Sequence, residues 1–163
     1  MIVLCDTSPI CYLILIGQID LLRQLFQSVT IPVAVRNELL NEDAGDSIHE
    51  WILNPPTWLN IQTVPQPLLS LPNYLGAGER EAISLAVSLQ ADLVIIDDLD
   101  ARTAAQQLNL PIIGTLGILY RAGIAELIDF PSAIAQLQQT SFHVSQTLVQ
   151  QLLQDYYRNV QRP

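Results

Sequence analysis

The sequence predicts an α/β fold in which a central parallel sheet is covered by helices on both faces, and three features predict it. Short segments rich in Val, Ile and Leu alternate along the chain with segments whose apolar residues recur at helical spacing. The short segments are near-continuously apolar rather than alternating, as strands buried on both faces must be. A length of 163 residues suits one domain with one core, here a core over residues 1–130 followed by a helical extension over 131–163.

The elements follow in order. Residues 1–5 read as a strand that carries Asp6 at its tip. Ser8 and Pro9 start a helix, the apolar pattern runs over 10–16, and Gly17 stops it; Ile19, Leu22, Leu25 and Phe26 mark a second helix. Residues 28–31 form a second strand, after which Pro32 suits the first turn of a helix. Val35, Glu38 and Leu39 share a face of that helix, so Glu38 points inward. Five of the ten prolines (Pro55, Pro56, Pro65, Pro67 and Pro72) fall within 54–75, a surface excursion around a short strand at 58–64. Residues 76–78 open a helix over 79–89, with Glu79 at its start and Ile83, Ala86 and Val87 as its core stripe. Residues 93–96 are the most hydrophobic strand and lead into Asp97, Asp98 and Asp100. A helix over 101–108, a strand over 111–113 and a helix entered through Gly114, Thr115 and Gly117 complete the alternation. The tail holds helices over 132–137 and 145–157, the second a docked amphipathic helix with Val149, Leu152, Leu153 and Tyr156 on one stripe.

Sixteen carboxylates against seven cations, all of them Arg, give a formal charge of −9. A protein that grips nucleic acid by neutralising many phosphates needs a basic surface, so any contact with nucleic acid is local. No apolar run approaches the roughly 18–20 residues of a membrane span, and Asp6 stands where a signal peptide would begin its apolar stretch. Cys5 and Cys11 are too few for a disulfide framework. The expectation is a cytoplasmic protein without membrane contact. His49 and His143 stand apart from other ligand-type residues and receive no role.

In open α/β sheets, ligands bind outside the carboxyl ends of the strands. Asp6 and Asp97 end strands there, and Glu38 and Glu79 sit on helices that follow at the same edge. Two carboxylates 4 Å apart repel by roughly 4 kcal/mol at an effective dielectric near 20, so four together require a cation or raised pKa values. Oxygen donors without His or Cys suit Mg²⁺ or Mn²⁺ rather than zinc.

These segments resemble the PIN-domain nucleases, and within them bacterial DUF3368-type proteins, including VapC-like toxins. The resemblance spans about residues 1–130 and is carried by Leu4-Cys5-Asp6-Thr7-Ser8-Pro9, by Ile31-Pro32-Val33-Ala34-Val35 leading to Glu38, and by Gly78-Glu79-Arg80-Glu81-Ala82-Ile83. Leu93-Val94-Ile95-Ile96-Asp97-Asp98, Ala101-Arg102 and Gly114-Thr115-Leu116-Gly117 continue it. It implies a three-layer α/β/α domain and a metal-dependent ribonuclease. Asp6, Glu38, Glu79 and Asp97 would be its catalytic acids; Asp6, Glu79 and Asp97, with Asp100 or Asp98, would hold Mg²⁺ or Mn²⁺. Ser8 would orient Asp6, and Glu38 would orient water. Glu79 stands where many members carry Asp, and Glu81, two positions on, faces away and reads as solvated. Thr115, at a helix start, would touch the RNA or cap its helix; Arg102 would contact RNA or pair with Asp98. The resemblance further implies the toxin half of a toxin–antitoxin pair, with a small basic antitoxin as partner and a homodimer left open. The absence of Lys disfavours a receiver domain, and Ser8 two residues after Asp6 disfavours a haloacid-dehalogenase-type phosphatase. The competing reading is a catalytically inactive PIN-fold module that binds nucleic acid or protein.

Overall fold

The computed structural model describes residues 1–66 and 68–160; Pro67 of the proline-rich excursion and residues 161–163 lie outside them. Strands β1 (Val3–Cys5), β2 (Val29–Pro32), β3 (Leu59–Gln62), β4 (Leu93–Ile95) and β5 (Ile112–Ile113) form one sheet in the order β3-β2-β1-β4-β5, every neighbouring pair parallel. Parallel neighbours need long crossovers, and helices supply them. Helices α1 (Thr7–Leu15) and α2 (Leu21–Phe26) join β1 to β2, α3 (Val33–Leu39) and α4 (Asp46–Leu53) join β2 to β3, α5 (Ala77–Leu89) leads to β4, and α6 (Leu99–Gln107) leads to β5. Helices α7 (Thr115–Ile124), α8 (Phe130–Gln138) and α9 (Gln146–Val160) follow the last strand.

Successive residues of a strand face opposite sides of a sheet, and that alternation builds two cores. Val3 and Cys5 of β1, Leu93 and Ile95 of β4 and Ile113 of β5 enter a large core shared with α1–α4 and α7–α9. Leu4, Val94 and Ile96 enter a smaller one with α5 and α6. The sheet is therefore the middle of three layers, α/β/α. Among the described residues, no helix is long and apolar enough to cross a membrane.

Two details depart from the sequence reading. Helix α4 is unmarked there because only Ile48 and Ile52, one turn apart, are buried in its eight residues. Helix α1 begins at Thr7, ahead of Ser8 and Pro9, which brings Thr7 directly to the tip of β1. The tail helix α9 docks through Val149 and Tyr156, whose ring lies 5.1 Å from that of Phe130.

Candidate active site

The chain lays β2 and β3 on one side of β1 and then returns to lay β4 on the other. The winding therefore reverses between β1 and β4, where an open sheet leaves a crevice at its carboxyl edge. Register decides which residues meet there. Val3 pairs with Leu93 and Cys5 with Ile95, which sets Asp6 level with Ile96, one step short of Asp97. Ile95 pairs with Ile113, which sets Asp97 level with Thr115.

That register gives Asp97 two donors. The Thr115 amide donates to Oδ1 at 2.7 Å and the Thr115 hydroxyl to Oδ2 at 2.6 Å, so a carboxylate from β4 sits at the N-terminus of α7, where helix amides and dipole favour an anion. Burial holds the Asp97 pKa above the ordinary range, opposed by both Thr115 donors and by the Arg102 charge. Thr115 is fully buried and its hydroxyl is engaged. It aims Asp97 from beneath the site and has no surface with which to touch substrate.

Asp6 is only 3% exposed, and its Oδ1 is buried without a hydrogen-bond partner. It stands at the cap position of α1 without capping that helix through its side chain. Burial pushes its pKa up to about 7 against the pull of the Thr7 amide, and Glu79, Glu38 and Asp97 all push the same way. The four acids thus share one electrostatic neighbourhood. Ser8 is exposed and gives Asp6 no hydrogen bond; at the start of α1 it is the Thr7 hydroxyl that is used, donating a short hydrogen bond to Glu38 Oε2.

Glu38 also accepts from the Gly78 amide at 2.9 Å. A Cβ on Gly78 would lie 2.5 Å from Glu38 Oε2 and 2.9 Å from its carboxyl carbon, so the approach of Glu38 to the start of α5 requires glycine there. Glu81 departs from the solvated role expected of it, since its Oε1 accepts from the Ala34 amide at 3.0 Å in the first turn of α3. Glu38 of α3 caps α5 while Glu81 of α5 caps α3, a reciprocal bolt between the two helices. Glu79 turns back to the Gly76 amide at 2.9 Å and closes a capping box on its own helix. Burial raises its pKa, with Asp98, Glu38 and Asp100 adding to the rise.

Asp98 accepts from the Ala101 amide at 3.0 Å and caps α6, while Asp100 is exposed in the first turn of that helix. Arg102 does not pair with Asp98; its Nη1 donates to the Ile96 carbonyl at 3.0 Å. A Cβ on Gly114 would lie 2.7 Å from that Nη1 and 2.8 Å from Asp97 Oδ1, so Gly114 is what lets the guanidinium and the carboxylate close in from either side. Sequence reasoning missed Thr7, Gly78 and Gly114 as parts of the site. All three lie inside the quoted motifs, but only the helix starts and the close approaches of Glu38, Asp97 and Arg102 reveal their use.

An ion such as Mg²⁺ fits these residues in kind: the four acids offer oxygen donors, one buried carboxylate oxygen lacks a partner, and neighbouring carboxylates raise the pKa of Asp6 and Glu79. Among the described residues, no three His, Cys, Asp or Glu side chains lie at metal-ligating spacing, because Glu38, Glu79 and Asp97 are turned onto donors of the protein itself. Rotation of those carboxylates would be needed to share one ion. His49 binds the Leu40 carbonyl at 3.1 Å, and Cys5 and Cys11 are free thiols.

No curated protein and no solved structure matches the chain significantly. The DUF3368 family model, described as a PIN domain, matches residues 2–157, which takes in the α9 region beyond the motifs quoted above. With that match over nearly its whole length and acids gathered where its sheet reverses, the chain belongs to the PIN-domain family.

Proposed function

We propose that the protein is a Mg²⁺- or Mn²⁺-dependent endoribonuclease that hydrolyses phosphodiester bonds of single-stranded RNA. The observation that carries this reading is Asp6, buried among three other acids with one carboxylate oxygen unpartnered. Burying such a group is costly without a counter-charge, and a divalent cation supplies one. Asp6, Glu79 and Asp97 would hold it, with exposed Asp100 reaching in from α6. When bound, such an ion activates water and neutralises charge on the phosphate.

The chain's own residues do the positioning. Thr115 aims the Asp97 carboxylate and favours its anion against the effect of burial. Glu38, held by Thr7 and Gly78, orients the attacking water and accepts its proton. Arg102, beside Asp97, meets a backbone phosphate. A charge of −9 leaves the protein unable to grip a long duplex, which supports a short exposed RNA segment as substrate. The same charge supports a toxin role, in which a small basic antitoxin places an Arg where the ion's charge would be.

A second reading, an inactive module, draws on the lack of three acids at ligating spacing. Incubation of single-stranded RNA with the purified protein in Mn²⁺ separates the two. The nuclease reading expects slow cleavage that EDTA abolishes and that Asp97→Asn lacks. Robust cleavage in EDTA, or full activity in Asp97→Asn, would contradict it.

A further inference from the structure

A cavity of about 480 Å³ opens beside the acids, between β5, the start of α7 and the α9 segment. Asp97 and Arg102 form part of its wall, and Leu116, Phe142, His143 and Leu148 are among the residues that form the rest. We propose that this cavity takes one nucleobase of the RNA strand whose phosphate lies at Asp97 and Arg102. The inference rests on the ribonuclease reading and names how that site holds its substrate.

Five observations favour a base over other occupants. The cavity shares Asp97 and Arg102 with the site, which sets its mouth beside a phosphate held at those two residues. Its volume of about 480 Å³ lies within the roughly 300–1,000 Å³ of small-molecule sites. The wall is chiefly apolar with one aromatic and one imidazole ring, the surfaces on which unpaired bases stack. Phe142 is braced, since its ring stands edge-on to Tyr12 at 5.0 Å between centroids, and a fixed ring loses little entropy when a base lands on it. Among the described residues, Arg102 is the one Arg in the wall, matched to the single phosphate that accompanies one base.

The arrangement also answers a difficulty set by composition. A chain of charge −9 gains little from phosphate neutralisation, so its hold on RNA must come from contacts that need no cations, and stacking is such a contact. Exposed Leu99 at 79% and Leu148 at 42% flank the mouth and give a strand an apolar rim to cross.

The test is cleavage kinetics of a short single-stranded RNA in Mn²⁺, comparing the intact strand with strands abasic at one position each. The proposal expects one position beside the cleaved bond at which base removal raises KM roughly tenfold. Phe142→Ala should raise KM for the intact strand by a similar factor and lose its sensitivity to that abasic position, because both changes remove one contact. Leu148→Trp, which plugs the mouth from an exposed site without disturbing the core, should reproduce Phe142→Ala. Metal-dependent cleavage indifferent to every abasic position would overturn the cavity while leaving the nuclease reading intact. Failure to cleave any RNA in any metal would overturn that reading and the cavity with it. A Leu148→Trp protein with unaltered KM but a changed sedimentation mass would make the cavity a contact between protein molecules and overturn the proposal.

Discussion

Asp6 and Asp97 stand one register step apart at the tips of neighbouring strands, yet the protein treats them in opposite ways. Asp97 receives a hydrogen bond on each oxygen from a single buried residue, Thr115. Asp6 is buried deeper, receives nothing on Oδ1 and is surrounded by like charge. Folding accounts for Asp97 and leaves Asp6 incomplete. On the proposed nuclease reading, the carboxylate that the fold completes serves to aim, and the one it leaves incomplete is where a cation would sit.

Neutralising each in turn sharpens that contrast, and it carries the largest effects. Asp6→Asn and Asp97→Asn should both reduce metal-dependent cleavage to background, but their stabilities should move apart. A shift from 3.8 to about 7 is worth on the order of 4 kcal/mol against the folded state when Asp6 is ionised, so without metal at pH 8 Asp6→Asn should melt well above the parent. Asp97→Asn replaces the charged acceptor of both Thr115 hydrogen bonds with a neutral amide and should lose about 1 kcal/mol. If both variants fell in Tm, Asp6 would have a partner in the fold after all.

The second consequence is a pH profile. The folded pKa of Asp6 lies above its unfolded value, so between pH 4 and 7 the native chain retains a proton that the unfolded chain has released. Stability without metal should therefore fall as pH rises across that window and level off above it, with Glu79 and Asp97, also raised, bending the curve the same way. Urea midpoints measured across the range would read this, and Asp6→Asn should flatten the slope. A midpoint climbing with pH would mean that the acids are favoured as anions in the fold.

Smaller effects probe the aiming side. Thr115→Val keeps shape and amide but removes the hydroxyl to Asp97. It should cost roughly 10- to 100-fold in metal affinity or activity with only about 1 kcal/mol of stability, which kinetics and melting together would read. The smallest effect belongs to Glu81→Gln, which weakens the cap on α3. A loss of up to about 1 kcal/mol should come with a modest fall in kcat as Glu38 loosens, and an unchanged kcat would detach the α3–α5 bolt from the site.

The two aspartates themselves were legible because each follows a near-continuous apolar segment, and such segments place their next residue at the sheet edge. The role of Thr115 was not, since the sequence shows a threonine at a helix start while only the pairing of Ile95 with Ile113 sets it level with Asp97. Helical spacing likewise shows that Glu81 faces away from Glu79. It does not show what faces Glu81, and the Ala34 amide waiting there turns an expected solvated residue into a cap. Parallel layering was legible from the alternation of segments, but α4 was not, because two buried isoleucines are a weak period.

Whether Asp6 awaits a cation is read most directly by thermal melting at pH 8 across a Mn²⁺ titration, for the parent and for Asp6→Asn. Binding to the folded state alone adds RT ln(1 + [L]/Kd), about 2.7 kcal/mol at a hundredfold excess over Kd. The parent should rise steadily in Tm with Mn²⁺, while Asp6→Asn starts higher and stays flat. A parent whose Tm ignores millimolar Mn²⁺, or an Asp6→Asn protein that rises as the parent does, would contradict a cation at Asp6.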